Sequence, residues 1–127
     1  MPETKLLAAV PQFLVADVVK AAEFYHQKLG FTIGPYGDPP EFVIVSRDRV
    51  QIMLSYSEKG HGSSNRAHKE GSDDAYIWLS DLDAFWDEVK DNGLKVTRQL
   101  ATAPYGIKEF TIEDGAGYAI TFAQAQD

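Results

Sequence analysis

The chain has 127 residues, 44% of them hydrophobic and 24% charged, with a formal net charge of −7 and no cysteine. That length can bury a core without a disulfide or a structural metal, and the lack of cysteine excludes disulfides, thiolate zinc sites and cysteine nucleophiles. The acidic balance argues against nucleic acid as a partner, which calls for a basic footprint, and no long apolar run marks a signal peptide or a membrane partner. A cytoplasmic protein is expected. Its acidity serves as a solvated surface or as an attraction for a cationic ligand.

In chain order, a strand-like run over 10–15 precedes a helix opened by Asp17, a good N-cap residue. Val18, Ala21, Ala22, Tyr25 and Leu29 then recur at helical spacing, and Gly30 closes the helix. Strands follow at 31–33, 42–45 and 50–54, the last two joined by the turn-prone Ser46, Arg47, Asp48 and Arg49. The segment 57–73 holds Gly60, Gly62, Ser63, Ser64, Asn65, Gly71 and Ser72. A polar stretch of that length in a compact domain is functional or disordered.

A strand over 75–79 then leads to a second helix, opened by Asp81 and carrying Leu82, Phe85, Trp86 and Val89 on one face, with Gly93 closing it. Strands at 94–97, 109–112 and 118–123 complete the chain, with Glu113, Asp114, Gly115, Ala116 and Gly117 as the last turn. The order reads βαβββ twice. Val15-Ala-Asp-Val recurs as Leu79-Ser-Asp-Leu, and Ala22 with Trp86 and Tyr25 with Val89 keep the same offset. An internal duplication is the reading preferred over a chance likeness of two short amphipathic helices. The expected organisation is α+β: one domain over 1–127, with a module at about 6–56, a connecting loop at 57–73 and a second module at about 74–124.

Ala9-Val-Pro-Gln-Phe-Leu-Val-Ala-Asp-Val, Ala22-Glu-Phe-Tyr and Leu29-Gly-Phe in the first half carry a resemblance. So do Ala75-Tyr-Ile-Trp-Leu, Gly106-Ile-Lys-Glu-Phe and Asp114-Gly-Ala-Gly in the second. In this order and spacing they resemble the vicinal oxygen chelate superfamily of glyoxalases, dioxygenases and bleomycin-resistance proteins, and the bleomycin-resistance type most. The last hairpin departs from that type, with Gly115 where proline is usual and Tyr118 where asparagine is usual. The resemblance implies two tandem βαβββ modules forming a curved mixed sheet, with helices on the convex face and a concave cleft. It also implies a homodimer that exchanges its N-terminal strand, an arrangement with which Pro11 is consistent.

Superfamily enzymes hold one divalent metal with His, Gln or Glu side chains. Carried over by resemblance, those positions fall near Val10 (with Gln12 two residues on), Met53, Asp74 and Thr121. Only Asp74 is a good ligand, and a one-residue slip brings no carboxylate or histidine into 50–55 or 118–123. No metal site and no cofactor are expected. His26 is expected on the surface of the first helix, and His61 and His68 lack the tight spacing of a zinc pair. No catalytic residue is assigned, since no serine sits beside a histidine with supporting geometry.

Strand alternation places Gln51, Met53 and Ser55, and Tyr76 and Trp78, on the cleft side, with Ala119, Thr121 and Ala123 lining the hollow. By resemblance, drug-contacting positions map onto Phe42, Ser55, Tyr76 and Tyr105, with Trp78 nearby. The ligand-binding set is therefore Phe42, Gln51, Met53, Ser55, Tyr76, Trp78 and Tyr105. Aromatic faces stack planar ligands and attract cations, although the same residues could instead bury a dimer interface. The leading function is non-catalytic capture of a small planar or cationic molecule, of the antibiotic-resistance type. The alternative is a glyoxalase-like lyase or isomerase, or a dioxygenase, with a divergent metal site. There Asp74, Gln12, Gln51 and Glu109 would converge with a loop histidine, Glu109 serving as a general base. A third reading is an accessory subunit whose cleft meets a partner protein.

Overall fold

Two aspartates set the helix starts. In the computed structural model, which describes residues 3–59 and 63–125, helix α1 (Val18–Leu29) begins where Asp17 Oδ1 accepts the Lys20 N–H at 3.0 Å. Helix α2 (Leu82–Val89) begins where Asp81 Oδ1 accepts the Ala84 N–H at 3.0 Å. Each cap satisfies a backbone donor that the first helical turn leaves free. Gly30 closes α1 in the left-handed region at φ 74°, its N–H bonded to Tyr25 O. The second helix ends earlier than expected. Its C-cap is Lys90, and Gly93 lies beyond it in the following turn with φ 77°.

Strand β1 (Gln12–Val15) pairs parallel with β4 (Val50–Tyr56). Strand β4 pairs antiparallel with β3 (Phe42–Arg47), and β3 with the short β2 (Thr32–Ile33). The second half repeats the plan. Strand β5 (Ala75–Trp78) runs parallel to β8 (Ala119–Ala125), followed by β7 (Ile107–Glu113) and β6 (Lys95–Thr102). The strand orders are 1-4-3-2 and 5-8-7-6. The tandem βαβββ architecture is thus realised as two four-stranded mixed sheets, hydrogen-bonded separately among the described residues.

One face of each sheet is apolar and buried. Phe13, Val15, Val43, Val45, Ile52 and Leu54 form it in the first, and Ile77, Phe110, Ile112, Ile120 and Phe122 in the second. These residues join the buried faces of α1 and α2 in one cluster that spans both halves, and its burial is the main favourable term in folding.

Specific contacts lock the halves together. The Tyr118 ring stacks on Phe13 with centroids 4.2 Å apart, and its hydroxyl donates to Leu14 O at 2.6 Å. Tyr25, fully buried on α1, donates its hydroxyl to Asp114 in the β7–β8 turn. Arg47 forms a bidentate pair with Glu88 at 2.7 and 2.9 Å, donates to Leu29 O at 2.8 Å, and lies over the Phe85 ring.

The connecting segment is not a free loop where it is described. Ser64 caps a short 3-10 turn at Asn65–Ala67. The Asp74 carboxylate accepts the Ser64 hydroxyl at 2.7 Å, the Asn65 N–H at 2.8 Å and the Ala119 N–H at 2.8 Å. His61 lies outside the described residues. His68 is exposed in this segment, and His26 is exposed on α1 with Nδ1 2.8 Å from Phe31 O.

Candidate functional site

Directly paired residues in a sheet share a face, so the register defines two open surfaces. On the first sheet, Gln12 lies opposite Met53 and Ile44, Leu14 opposite Ser55 and Phe42, and Gln51 opposite Ser46. Of the seven expected ligand residues, Phe42, Gln51, Met53 and Ser55 thus share one face. On the second sheet, Tyr76 aligns with Thr121, Thr111 and Arg98, and Trp78 with Ala123, Glu109 and Ala101. Tyr76 and Trp78 therefore share the other face, and their rings meet edge-on with centroids 5.3 Å apart.

Tyr105 joins that face from the β6–β7 hairpin tip. The turn is closed by Gly106 N–H to Ala103 O at 2.9 Å, and Gly106 takes φ 86°, which a side chain would strain. Trp78 is 56% and Tyr105 62% exposed, so the rings present surface rather than core.

The positions expected to line a hollow behind these rings are filled instead. Ala119, Thr121 and Ala123 are buried. Thr121 Oγ1 bonds to Thr111 Oγ1 at 2.7 Å and donates to Asp73 Oδ1 at 2.5 Å.

The centre of the second face is Glu109, only 1% exposed in the middle of β7. Its Oε2 accepts the Tyr76 hydroxyl at 2.7 Å. Its Oε1 accepts the Tyr105 hydroxyl and Arg98 Nη1, the latter at 2.6 Å. Arg98 Nη2 reaches on to Gly71 O at 3.3 Å. Burial alone would raise the Glu109 pKa, but the hydrogen bonds from Tyr105, Tyr76 and Arg98 outweigh it and hold the carboxyl below its ordinary value. The phenols move the other way: burial and then the Glu109 bond raise Tyr76, and the Glu109 bond and then burial raise Tyr105.

This cluster does not suit proton abstraction. A general base works best with a pKa near the operating pH, whereas Glu109 is depressed and both its oxygens are occupied.

The register also shows what stands beside the mapped metal-ligand positions. Met53 faces Gln12 rather than Val10, which lies outside β1, and Thr121 faces Tyr76 rather than Asp74. The set at those places is an amide, a thioether, a phenol bonded to Glu109 and a hydroxyl bonded to Thr111 and Asp73. Asp74, the one good ligand in the earlier mapping, spends its carboxylate on three structural bonds. With one amide and no free histidine or carboxylate, this donor set does not fit the divalent ion of the superfamily enzymes, which takes His, Gln or Glu ligands. The groups invoked for an enzymatic site are not gathered either: Gln12 and Gln51 lie on the first sheet, and Asp74 and Glu109 are engaged on the second.

A groove of about 720 Å³ runs along α1 beside the β7–β8 turn, lined by residues that include Asp17, Lys20, Phe24 and Gly115. Neither it nor the smaller groove beside it includes any of the seven expected residues.

Such paired βαβββ sheets with open faces define a class, and the comparisons place the chain in it. Residues 8–122 match the model of the Glyoxalase/Bleomycin resistance protein/Dioxygenase superfamily, and the chain belongs to that family. A comparison with curated proteins returns no match. Among solved structures, the bleomycin-binding protein of Streptomyces verticillus, complexed with copper(II)-bleomycin, is 25% identical with a TM-score of 0.71, over 98% of this chain and 100% of that one. TioX from Micromonospora sp. ML1 is 15% identical with a TM-score of 0.75, over 92% and 97%. A glyoxalase-related enzyme from Clostridium phytofermentans is 16% identical with a TM-score of 0.75, over 97% and 98%. The last two show a shared fold.

Proposed function

We propose that this protein captures a small planar or cationic molecule stoichiometrically and without catalysis, in the manner of an antibiotic-resistance binding protein. The observation that carries the reading is the second sheet's open face, where Tyr76, Trp78 and Tyr105 stand exposed around an ionised, fully engaged carboxylate. Rings of this kind bind by stacking and by attraction of positive charge, and neither needs a reacting group. The likeness to a protein complexed with copper(II)-bleomycin supports the same ligand class.

Both modules and the segment between them act as one domain in this reading, and a cytoplasmic location suits it. Among the described residues, no helix is long and apolar enough to cross a membrane.

The functional unit is a homodimer that exchanges its N-terminal arm. Leu6 and Leu7 are 98% and 92% exposed on a stretch without secondary structure ahead of β1, and Leu14 and Phe42 are exposed on the adjacent sheet face. Apolar surface of this kind calls for a cover. A second copy would bring Phe42, Gln51, Met53 and Ser55 of one chain to the aromatic wall of the other.

The test is titration of copper(II)-bleomycin against the protein, followed by Trp fluorescence and calorimetry. Saturable one-to-one binding per chain, weakened at least tenfold by Trp78→Ala, is expected from loss of a stacking ring. An unchanged affinity in Trp78→Ala would remove the aromatic wall from the site, and turnover of a glyoxalase substrate on addition of nickel or zinc would favour the enzymatic alternative. In sedimentation, the protein should run as a dimer, and Leu6→Ser with Leu7→Ser should shift it toward monomer.

A further inference from the structure

Two rings of the aromatic wall share one anchor. Tyr76 comes from β5 and Tyr105 from the β6–β7 hairpin, so nothing in local sequence ties one to the other. Both phenols nevertheless donate to the same carboxylate, one to each oxygen of Glu109. That carboxylate is itself enclosed: it is buried, sits in the middle of the sheet between Ala101 and Ala123, and is held from a third side by Arg98.

A tyrosine on a hairpin tip has free rotation about two side-chain bonds unless something holds its far end. Glu109 holds it, and charge-assisted bonds of this kind are shorter and stronger than neutral ones. An apolar residue at position 109 would need no partner. A buried charge there persists only because its bonds are satisfied.

We propose that Glu109 is the positioning residue of the binding wall, its single carboxylate fixing the Tyr76 and Tyr105 rings before a ligand arrives. The proposal rests on the capture reading for what the wall binds, but not for how the wall is held. Through Arg98 and its bond to Gly71 O, the same anchor fixes the end of the connecting segment to the wall. Preorganisation of this sort raises affinity by removing the cost of ordering side chains at binding. It also leaves the phenols with their protons directed inward, so that they offer ring faces and oxygen lone pairs outward.

The test compares wild type with Glu109→Gln and with the double variant Tyr76→Phe, Tyr105→Phe. The first readout needs no ligand. In a spectrophotometric pH titration of the intact protein, the phenols of Tyr76 and Tyr105 should ionise at lower pH in Glu109→Gln than in wild type. Adding the two Phe substitutions to Glu109→Gln should delete that signal, which assigns it among the six tyrosines. Ionisation at the same pH in wild type and Glu109→Gln overturns the proposal.

The second readout is the dissociation constant of copper(II)-bleomycin. Glu109→Gln and the double Phe variant should each weaken it about tenfold, the scale of ordering two side chains on binding. The double variant keeps both rings, so wild-type affinity in it, or in Glu109→Gln, also overturns the proposal. If Glu109→Gln does not fold, the double variant carries the binding test alone. If wild type does not bind the probe, the capture reading fails, and the ionisation titration still decides whether Glu109 holds the two phenols.

Discussion

Removing the Tyr25 hydroxyl tests how the two halves are held. Tyr25 is fully buried on α1, and its hydroxyl meets Asp114 Oδ2 across the inter-module contact, while Asp114 Oδ1 accepts the N–H groups of Ala116 and Tyr118 at 2.9 and 2.8 Å. Tyr25→Phe keeps the ring and leaves Oδ2 without that donor. A hydrogen bond to a charged, buried partner is worth about 1.5–3 kcal/mol. For a chain of this length that is a fall in Tm of roughly 6–12 °C, at about 4 °C per kcal/mol.

The deficit also has a pH signature. Burial raises the Asp114 pKa, against bonds from Tyr25 and the backbone of Tyr118 and Ala116 that lower it. A carboxyl raised above its unfolded value stabilises the fold fully below that value, and the contribution is lost as pH rises through the folded pKa. Without the hydroxyl, Asp114 rises further. The Tyr25→Phe deficit should therefore be larger above the folded-state pKa of Asp114, where the carboxylate is charged, and shrink in acid. Thermal melts of both proteins by circular dichroism across the acid range measure this. A Tm difference within about 1 °C at neutral pH, well under the expected range, or a deficit that grows in acid, would refute the reasoning.

Three further outcomes are expected. Arg47→Ala should lower stability more than Glu88→Ala in urea melts, because Arg47 also satisfies Leu29 O and covers Phe85. The exposed ion pair by itself is worth only about 0–1 kcal/mol. Gly30→Ala should cost about 1–2 kcal/mol, since Gly30 sits at φ +74° and a Cβ there would lie 2.8 Å from Arg47 Nη1; equal stability would mean that the cap relaxes. Glu109 is held below its ordinary value, so its contribution to stability is present above the unfolded pKa and lost as pH falls through the folded one. Acid unfolding of Glu109→Gln should consequently lack part of the wild-type pH dependence, as followed by fluorescence.

The parts of this protein governed by local rules were legible in its sequence. Asp17, Asp81 and Gly30 cap helices because capping depends on a residue's own side chain or its freedom at positive φ. The apolar spacing of Val18, Ala21, Tyr25 and Leu29 fixes the buried face of α1, and alternation put Tyr76 and Trp78 opposite Ile77. Helix α2 stops at Lys90 rather than nearer Gly93, since an end without a glycine at the cap leaves little signal. The repeat of βαβββ followed from element order, which needs no knowledge of packing.

What the sequence left open depends on register and on distant partners. The pairing of Met53 with Gln12 and of Thr121 with Tyr76 is set by long-range strand alignment, and a shift of two residues keeps every face the same, so the alternating pattern alone does not choose Val10 or Gln12. Asp74 looks like a metal ligand until Ser64, Asn65 and Ala119 are seen to use its oxygens. Glu109 gave no local signal, since Lys108, Thr111 and Glu113 are polar in the same strand, and its meaning lay in Arg98 on β6, Tyr105 on the hairpin and Tyr76 on β5. Sequence by itself determined the elements, their order and the side of each strand that meets the core, because these follow from backbone chemistry and hydrophobic periodicity. Only the tertiary structure decided which polar groups on the open faces meet, because a buried charge is satisfied by neighbours that folding, not the chain order, brings within reach.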